Sequence, residues 1–173
     1  MTDVAKQYAR AVFSLALENG IEENTLGSLK NFSQSLDKES WKFFLHPKIT
    51  KDDKKNLLDG LKLDILTINA IKVIIDNSRF DIIDDIVKSY EEILNEYNNL
   101  AIVSVITKNE ISEVNLKKIK QELKSRINRD IEINQIVDKS LIGGMKIEFE
   151  GEVIDLSINS ELKNIKNQLK GGN

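Results

Sequence analysis

The hydrophobic period of this chain changes once, and the change limits what it can fold into. Up to "NEYNNL", apolar residues recur every three or four positions. From "AIVSVIT", Ala101–Thr107, β-branched residues crowd together or alternate with polar ones. The first period belongs to amphipathic helices and the second to strands. The expected fold is therefore mainly α: a six-helix N-terminal bundle over residues 1–99, followed by a small α+β C-terminal domain over 100–173. Charge divides in the same place. Residues 1–100 hold 13 Lys+Arg against 17 Asp+Glu, whereas residues 101–173 hold 12 against 11.

The helical part can be read segment by segment. Thr2 caps a first helix that Gly20 stops. Along it run two apolar lines, Val4, Tyr8, Val12 and Leu15 beside Ala5, Ala9, Phe13 and Ala16. So broad a face is buried on two sides or lends one side to a partner. A second helix over Glu23–Leu36 turns Leu26, Leu29, Phe32, Ser33 and Leu36 inward. A short helix in "ESWKFFL" ends at His46, because Pro47 disfavours helical angles in the residue before it. Thr50 caps a fourth helix, with Asp52 and Asp53 in its first turn and Leu57, Leu58 and Leu61 on its inner face. The fifth segment, "DILTINAIKVIIDNS", is apolar almost all round, which suits the centre of a bundle or a surface covered from outside. The sixth begins near Arg79 and places Ile83, Ile86, Tyr90, Ile93 and Tyr97 on one face.

In the second part, a strand at Ala101–Thr107 is followed by a helix marked by Leu116, Ile119, Leu123 and Ile127 and capped by Ser112. "DIEINQIV" and "MKIEFE" alternate as strands, Gly151 turns the chain, and "EVIDLS" returns. The tail "NSELKNIKNQLK" aligns Leu162, Ile165 and Leu169 on one helical face. Gly143 and Gly144 lie between strands, with no Gly-Lys-Ser/Thr and no helix N-terminus after them. They read as a structural turn and not as a phosphate cradle.

Chemistry is scarce. There is no cysteine and one histidine, so thiolate sites and multi-histidine metal sites are excluded within one chain. His46 reads as a helix-end residue. Asp52–Asp53 and Asp84–Asp85 read as acids favoured by the dipole of a first helical turn. Trp41, Phe43 and Phe44 read as core. With a net charge of −3, the chain is no candidate for nucleic-acid binding. The apolar run Ile65–Ile75 is broken by Asn69 and Lys72 and is too short to span a bilayer, so no direct membrane insertion is expected. The opening "MTDVAKQYAR" reads as neither a secretory signal nor a transit peptide. No residue suggests a cofactor, and no metal is expected.

The sharper expectation concerns partners. If the first and fifth helices lie side by side, Tyr8, Ala11 and Leu15 with Ile71 and Ile75 would form a groove for an incoming helix. In the blander alternative, both faces are simply core.

The stretch "IEINQIVDKSLIGGMKIEFE" resembles the signature of the delta subunit of F-type ATP synthases, whose mitochondrial relative is the oligomycin-sensitivity-conferring protein. "QYARAVFSLALENG", "FFLHPKITKDDKKNLL" and "GEVIDLSINSELKNIKNQL" resemble the first helix, the helix-proline-helix junction and the C-terminal end of that family. Lys139 stands where the family usually has proline, and Leu156 where it often has glycine. The resemblance implies a non-catalytic stator subunit that couples proton-driven rotation to ATP synthesis. Its N-terminal domain would grip N-terminal segments of the alpha subunits, and its C-terminal domain would meet the b-type peripheral stalk. It also implies a peripheral protein on the cytoplasmic face of the membrane. The alternative is a soluble helical adaptor outside the synthase. An enzyme with substrate between the domains has no residues to support it.

Overall fold

A computed structural model describes residues 3–163. The chain forms two compact units, Met1–Tyr97 and Asn98–Asn173.

In the first unit, α1 (Asp3–Asn19) buries Ala5, Ala9, Val12, Phe13 and Ala16. Three of these are alanines, which lets neighbouring helices come close. Gly20 ends α1 at φ +64°, and the Ile21 N–H closes back on the Ala16 carbonyl at 3.0 Å. The expected cap Thr2 lies outside the described residues. Three later helices start at caps the sequence supplies. Asp37 accepts from Ser40 N–H (2.7 Å) before α3 (Lys38–Leu45). Thr50 accepts from Asp53 N–H (3.2 Å) before α4 (Lys51–Asp59). Asp64 accepts from Thr67 N–H (2.8 Å) before α5 (Ile65–Asp76). Between α1 and α3, α2 (Glu22–Ser35) buries Thr25, Leu29 and Phe32.

The sixth segment differs in detail from its expectation. A short 3-10 turn, Phe80–Ile82, precedes α6 (Ile83–Tyr97). α6 packs on α1 and α2. It buries Ile83, Ile86, Val87, Tyr90 and Leu94. Tyr90 is fully enclosed and donates its hydroxyl to the Glu22 carbonyl at 3.0 Å. Burial pushes its phenol up to about 12. A second packing centre is aromatic. The Phe44 and Phe80 rings stack with centroids 4.3 Å apart, and Trp41 and Phe32 meet Phe80 edge-on.

The inner face expected for the fourth helix is corrected. Leu58 is buried, but Leu57 and Leu61 are 51% and 40% exposed. α4 is nine residues long and ends at Gly60, so Leu61 falls past it. The inward line is Lys54–Leu58, one turn apart, and the buried Lys54 ammonium donates to the His46 carbonyl at 3.0 Å.

The second unit is a four-stranded sheet of order β2-β1-β3-β4. β1 (Leu100–Thr107) is central. It runs parallel to β2 (Asp130–Val137) and antiparallel to β3 (Gly144–Phe149). A parallel pair needs a crossover, and α7 (Glu113–Ile127) provides it. Ser112 occupies the position before α7, but its side chain makes no capping hydrogen bond. β4 (Glu152–Ser157) completes a hairpin through Glu150 and Gly151, at φ +49° and +86°. Positive φ at both turn residues matches the right-handed strand twist. Ala101, Val103, Val105 and Ile131 form the core, with Ile119, Leu123 and Ile127 of α7 packed on it. Residues 158–163 are helical, and Leu162 is about half exposed. The expected Ile165 and Leu169 of the tail helix lie outside the described residues.

Candidate functional site

Val4, Tyr8, Ala11 and Leu15 stand four, three and four residues apart, on one line along α1. This line flanks the buried one. Tyr8 is half-buried, Ala11 is exposed and Leu15 is 48% exposed. An open depression joins Val4, Gln7, Tyr8 and Ala11 to Asn77 and Arg79, just past the end of α5. The line is thus half-buried at Val4 and Tyr8, where Tyr8 packs against the core, and exposed at Ala11 and Leu15.

The other side of the expected groove needs correction. Ile71 and Ile75 are 0% and 3% exposed, packed in the core with Ile74, so they cannot face a partner. α5 is apolar almost all round, and periodicity alone does not say which line turns inward. The α5 positions that reach the surface at its end are Val73 and Asn77; Val73 is 50% exposed. Its continuation, Arg79, is set by the chain reversal after α5. Ser78 takes φ +56°, its N–H closes on Ile75 at 2.9 Å, and Arg79 N–H closes on Ile74 at 3.0 Å. Sequence reasoning missed Val4, Gln7, Asn77 and Arg79 as lining residues. The i, i+4 spacing of Val4 and Tyr8 was a readable signal, but the left-handed Ser78 was not.

Among the described residues, the second unit has its own exposed apolar residues on one sheet face. α7 packs on β2 beside the central β1, and the register puts Met145 opposite Leu156 and Ile147 opposite Ile154 on the same sheet face. Ile154 and Leu156 are 53% and 60% exposed.

The glycine pair lies where the chain enters β3. Gly144 has φ +79°, and a Cβ there would stand 2.3 Å from the Leu156 carbonyl oxygen. At Gly143 a Cβ would meet the Ile158 side chain at 2.8 Å. The residues after the pair are β3, not a helix N-terminus, so the pair serves close strand approach.

The candidate chemical groups have structural roles. His46 is the C-cap of α3, and its Nδ1 accepts from Lys48 N–H at 3.2 Å. Asp53 exchanges hydrogen bonds with the Thr50 cap, Asp52 pairs with Lys55 at 3.2 Å, and Asp84 accepts from Ser33. Among the described residues, no three His, Asp or Glu side chains are grouped to hold a metal. No described helix is long and apolar enough to cross a membrane.

Comparison with known proteins agrees across nearly the whole length. An ATP synthase subunit delta from Wigglesworthia glossinidia brevipalpis is 32% identical over 161 residues, covering 92% of this chain and 91% of that one. One from Bacillus thuringiensis (strain Al Hakam) is 30% identical over 171 residues, covering 96% and 95%. One from Clostridioides difficile (strain 630) is 28% identical over 176 residues, covering 96% and 95%. In fold, the chain is similar to one in the cryo-EM structure of the Toxoplasma gondii mitochondrial ATP synthase hexamer. The TM-score is 0.70 at 17% identity, over 97% of this chain and 98% of that one. The adaptor alternative is therefore set aside. The family model for the ATP synthase delta (OSCP) subunit matches residues 4–169, and the chain belongs to that family, a non-catalytic structural component of the synthase stator.

Proposed function

We propose that the two units divide the stator's work. The six helices of the first unit act as one bundle whose α1 flank takes an N-terminal helix of an alpha subunit. The sheet of the second unit meets the b-type peripheral stalk. The assembly sits on the cytoplasmic face of the membrane, and this subunit reaches the membrane only through its partners.

The observation that carries this reading is the pair of separate apolar surfaces. One is the Val4–Leu15 line with the depression that joins it to Asn77 and Arg79, and the other is Ile154 with Leu156. A coupling under torque has to stay bound from one catalytic step to the next. Standard interfaces bury about 1,200–2,000 Å² in total. Two such contacts on one chain also raise each other's effective concentration. In the first groove, Ala11 permits close helix approach and Tyr8 offers a broad anchor with a polar tip.

Capture of the tagged full chain from solubilised native membranes tests this division. Wild type should retain alpha and b subunits. Ala11→Trp should lose alpha and keep b; Leu156→Asp should do the reverse. Loss of both partners in either single variant, with folding intact, would remove the assignment of one partner to each unit.

A further inference from the structure

We infer that Asn19–Gly20 is a site of spontaneous deamidation, gated by the last turn of α1, and that the modified chain loses the stop between α1 and α2.

The dipeptide is the one Asn-Gly pair in the 173 residues. Both residues are exposed where α1 closes. Glycine carries no side chain to shield its backbone nitrogen or to restrict its angles. A Cβ at Gly20 would meet nothing within 4 Å, so no neighbour crowds the residue. The reaction is intramolecular, with the two groups held one bond apart along the chain. The Gly20 nitrogen attacks Cγ of Asn19 and forms a new N–C bond. The bond from Cγ to Nδ2 breaks, and Nδ2 leaves as ammonia with the proton that the Gly20 nitrogen gives up. Water then opens the cyclic imide at either carbonyl. One opening gives aspartate; the other gives isoaspartate, in which the main chain runs through Cγ.

The folded turn opposes this attack. Asn19 Nδ2 donates to the Leu15 carbonyl at 2.6 Å, which turns the side chain back along α1 and away from Gly20. The Gly20 N–H donates to the Leu17 carbonyl at 3.1 Å, so its proton is engaged. Both bonds have to open first. Exposed helix ends open at the lowest cost in a fold, so fraying of this turn sets the rate. The product then weakens the same turn. Aspartate removes the Nδ2 donor and sets a carboxylate beside Glu18 at the negative end of the α1 dipole. Isoaspartate adds a main-chain carbon inside the ring that the Ile21 N–H closes on the Ala16 carbonyl at 3.0 Å. Only Gly20 and Ile21 separate α1 from α2, so the connection has little slack to absorb it.

The test incubates the full chain at neutral pH, folded and in guanidinium chloride. Trypsin releases the peptide Ala11–Lys30, which carries both Asn19 and Asn24, and fragment masses tell the two apart. Asn19 should convert in the unfolded chain while Asn24, which precedes the branched Thr25, stays intact. Folding should slow Asn19 about tenfold or more. Glu18→Gly lowers helix propensity in the exposed turn and should raise the folded rate about threefold, with the unfolded rate unchanged. The aged, converted chain should melt about 4–8 °C below the fresh one by Trp41 fluorescence, and Asn19→Gln should not lose stability on ageing. No conversion at Asn19 in the unfolded chain overturns the site. Equal folded and unfolded rates, or a folded Glu18→Gly rate equal to wild type, overturn the gating. A converted chain that melts like the fresh one, or an equal loss in aged Asn19→Gln, overturns the effect on the α1 stop.

Discussion

Gly144→Ala should open the second unit while leaving the first folded. The added Cβ would stand 2.3 Å from the Leu156 carbonyl oxygen, 2.9 Å from Ser157 Cα and 3.2 Å from the Leu156 carbonyl carbon. All three are backbone atoms of the paired strand, so relief requires β3 and β4 to separate at the Gly144–Ser157 rung. Holding a non-glycine residue at φ +79° costs on the order of 1–3 kcal/mol. Losing the hydrogen bonding at that rung adds about 0.5–1.5 kcal/mol. The sum is roughly 2–4 kcal/mol, a large part of a small domain's stability. Two neighbouring glycines separate the causes. Gly151 has φ +86° but open space around its Cβ position, so Gly151→Ala should cost only strain, about 1 kcal/mol. Gly143→Ala meets only the end of the half-exposed Ile158 side chain, which can rotate, so it should cost less than about 1 kcal/mol. The single Trp and all three Tyr residues lie in the first unit, so fluorescence follows that unit alone. Amide hydrogen exchange at Val103 and Val105 reports the second, since core amides exchange only through large openings. The steric argument fails if Gly144→Ala exchanges like wild type, or if Gly143→Ala costs as much as Gly144→Ala.

Two further outcomes follow from the first unit. Phe44→Ala removes a ring 3% exposed and stacked on Phe80, and should cost about 3–5 kcal/mol in urea titration followed by Trp41 fluorescence; a loss below about 1 kcal/mol would mean the aromatic cluster is not a packing centre. Asp64→Ala should cost about 1 kcal/mol at pH 7 and less near pH 3. Burial raises the Asp64 carboxyl, but hydrogen bonds from Thr67 and Ser28 outweigh it and hold the carboxyl below its ordinary value. Its contribution is therefore present above the ordinary carboxylate pKa and lost as pH falls through the lower folded one. An equal loss at both pH values would contradict the cap.

Most elements were legible because they end at strong local signals: the Thr50 cap, the left-handed Gly20, the alternation in "MKIEFE". What was not legible has physical reasons. α5 is apolar on nearly every side, so its sequence could not say that Ile71 and Ile75 turn inward while Val73 faces out. α4 is too short for its leucines to fix a face, and the buried Lys54 took the inward place. The parallel pairing of β1 with β2 depends on contacts distant in sequence. Of the proposed docking site, the α1 line could be read directly from its spacing. Arg79 could not, because a single positive φ at Ser78 sets it beside Gln7.

The central claim is that this one chain joins the alpha subunit to the stalk. Sedimentation velocity with a labelled alpha-subunit head, labelled soluble b segment and the unlabelled full chain tests it most directly. The account predicts that the two labels cosediment only when the chain is present, and that Ala11→Trp releases the head while the b segment stays bound. Cosedimentation without the chain, or no shared complex when both partners saturate it, would contradict the account.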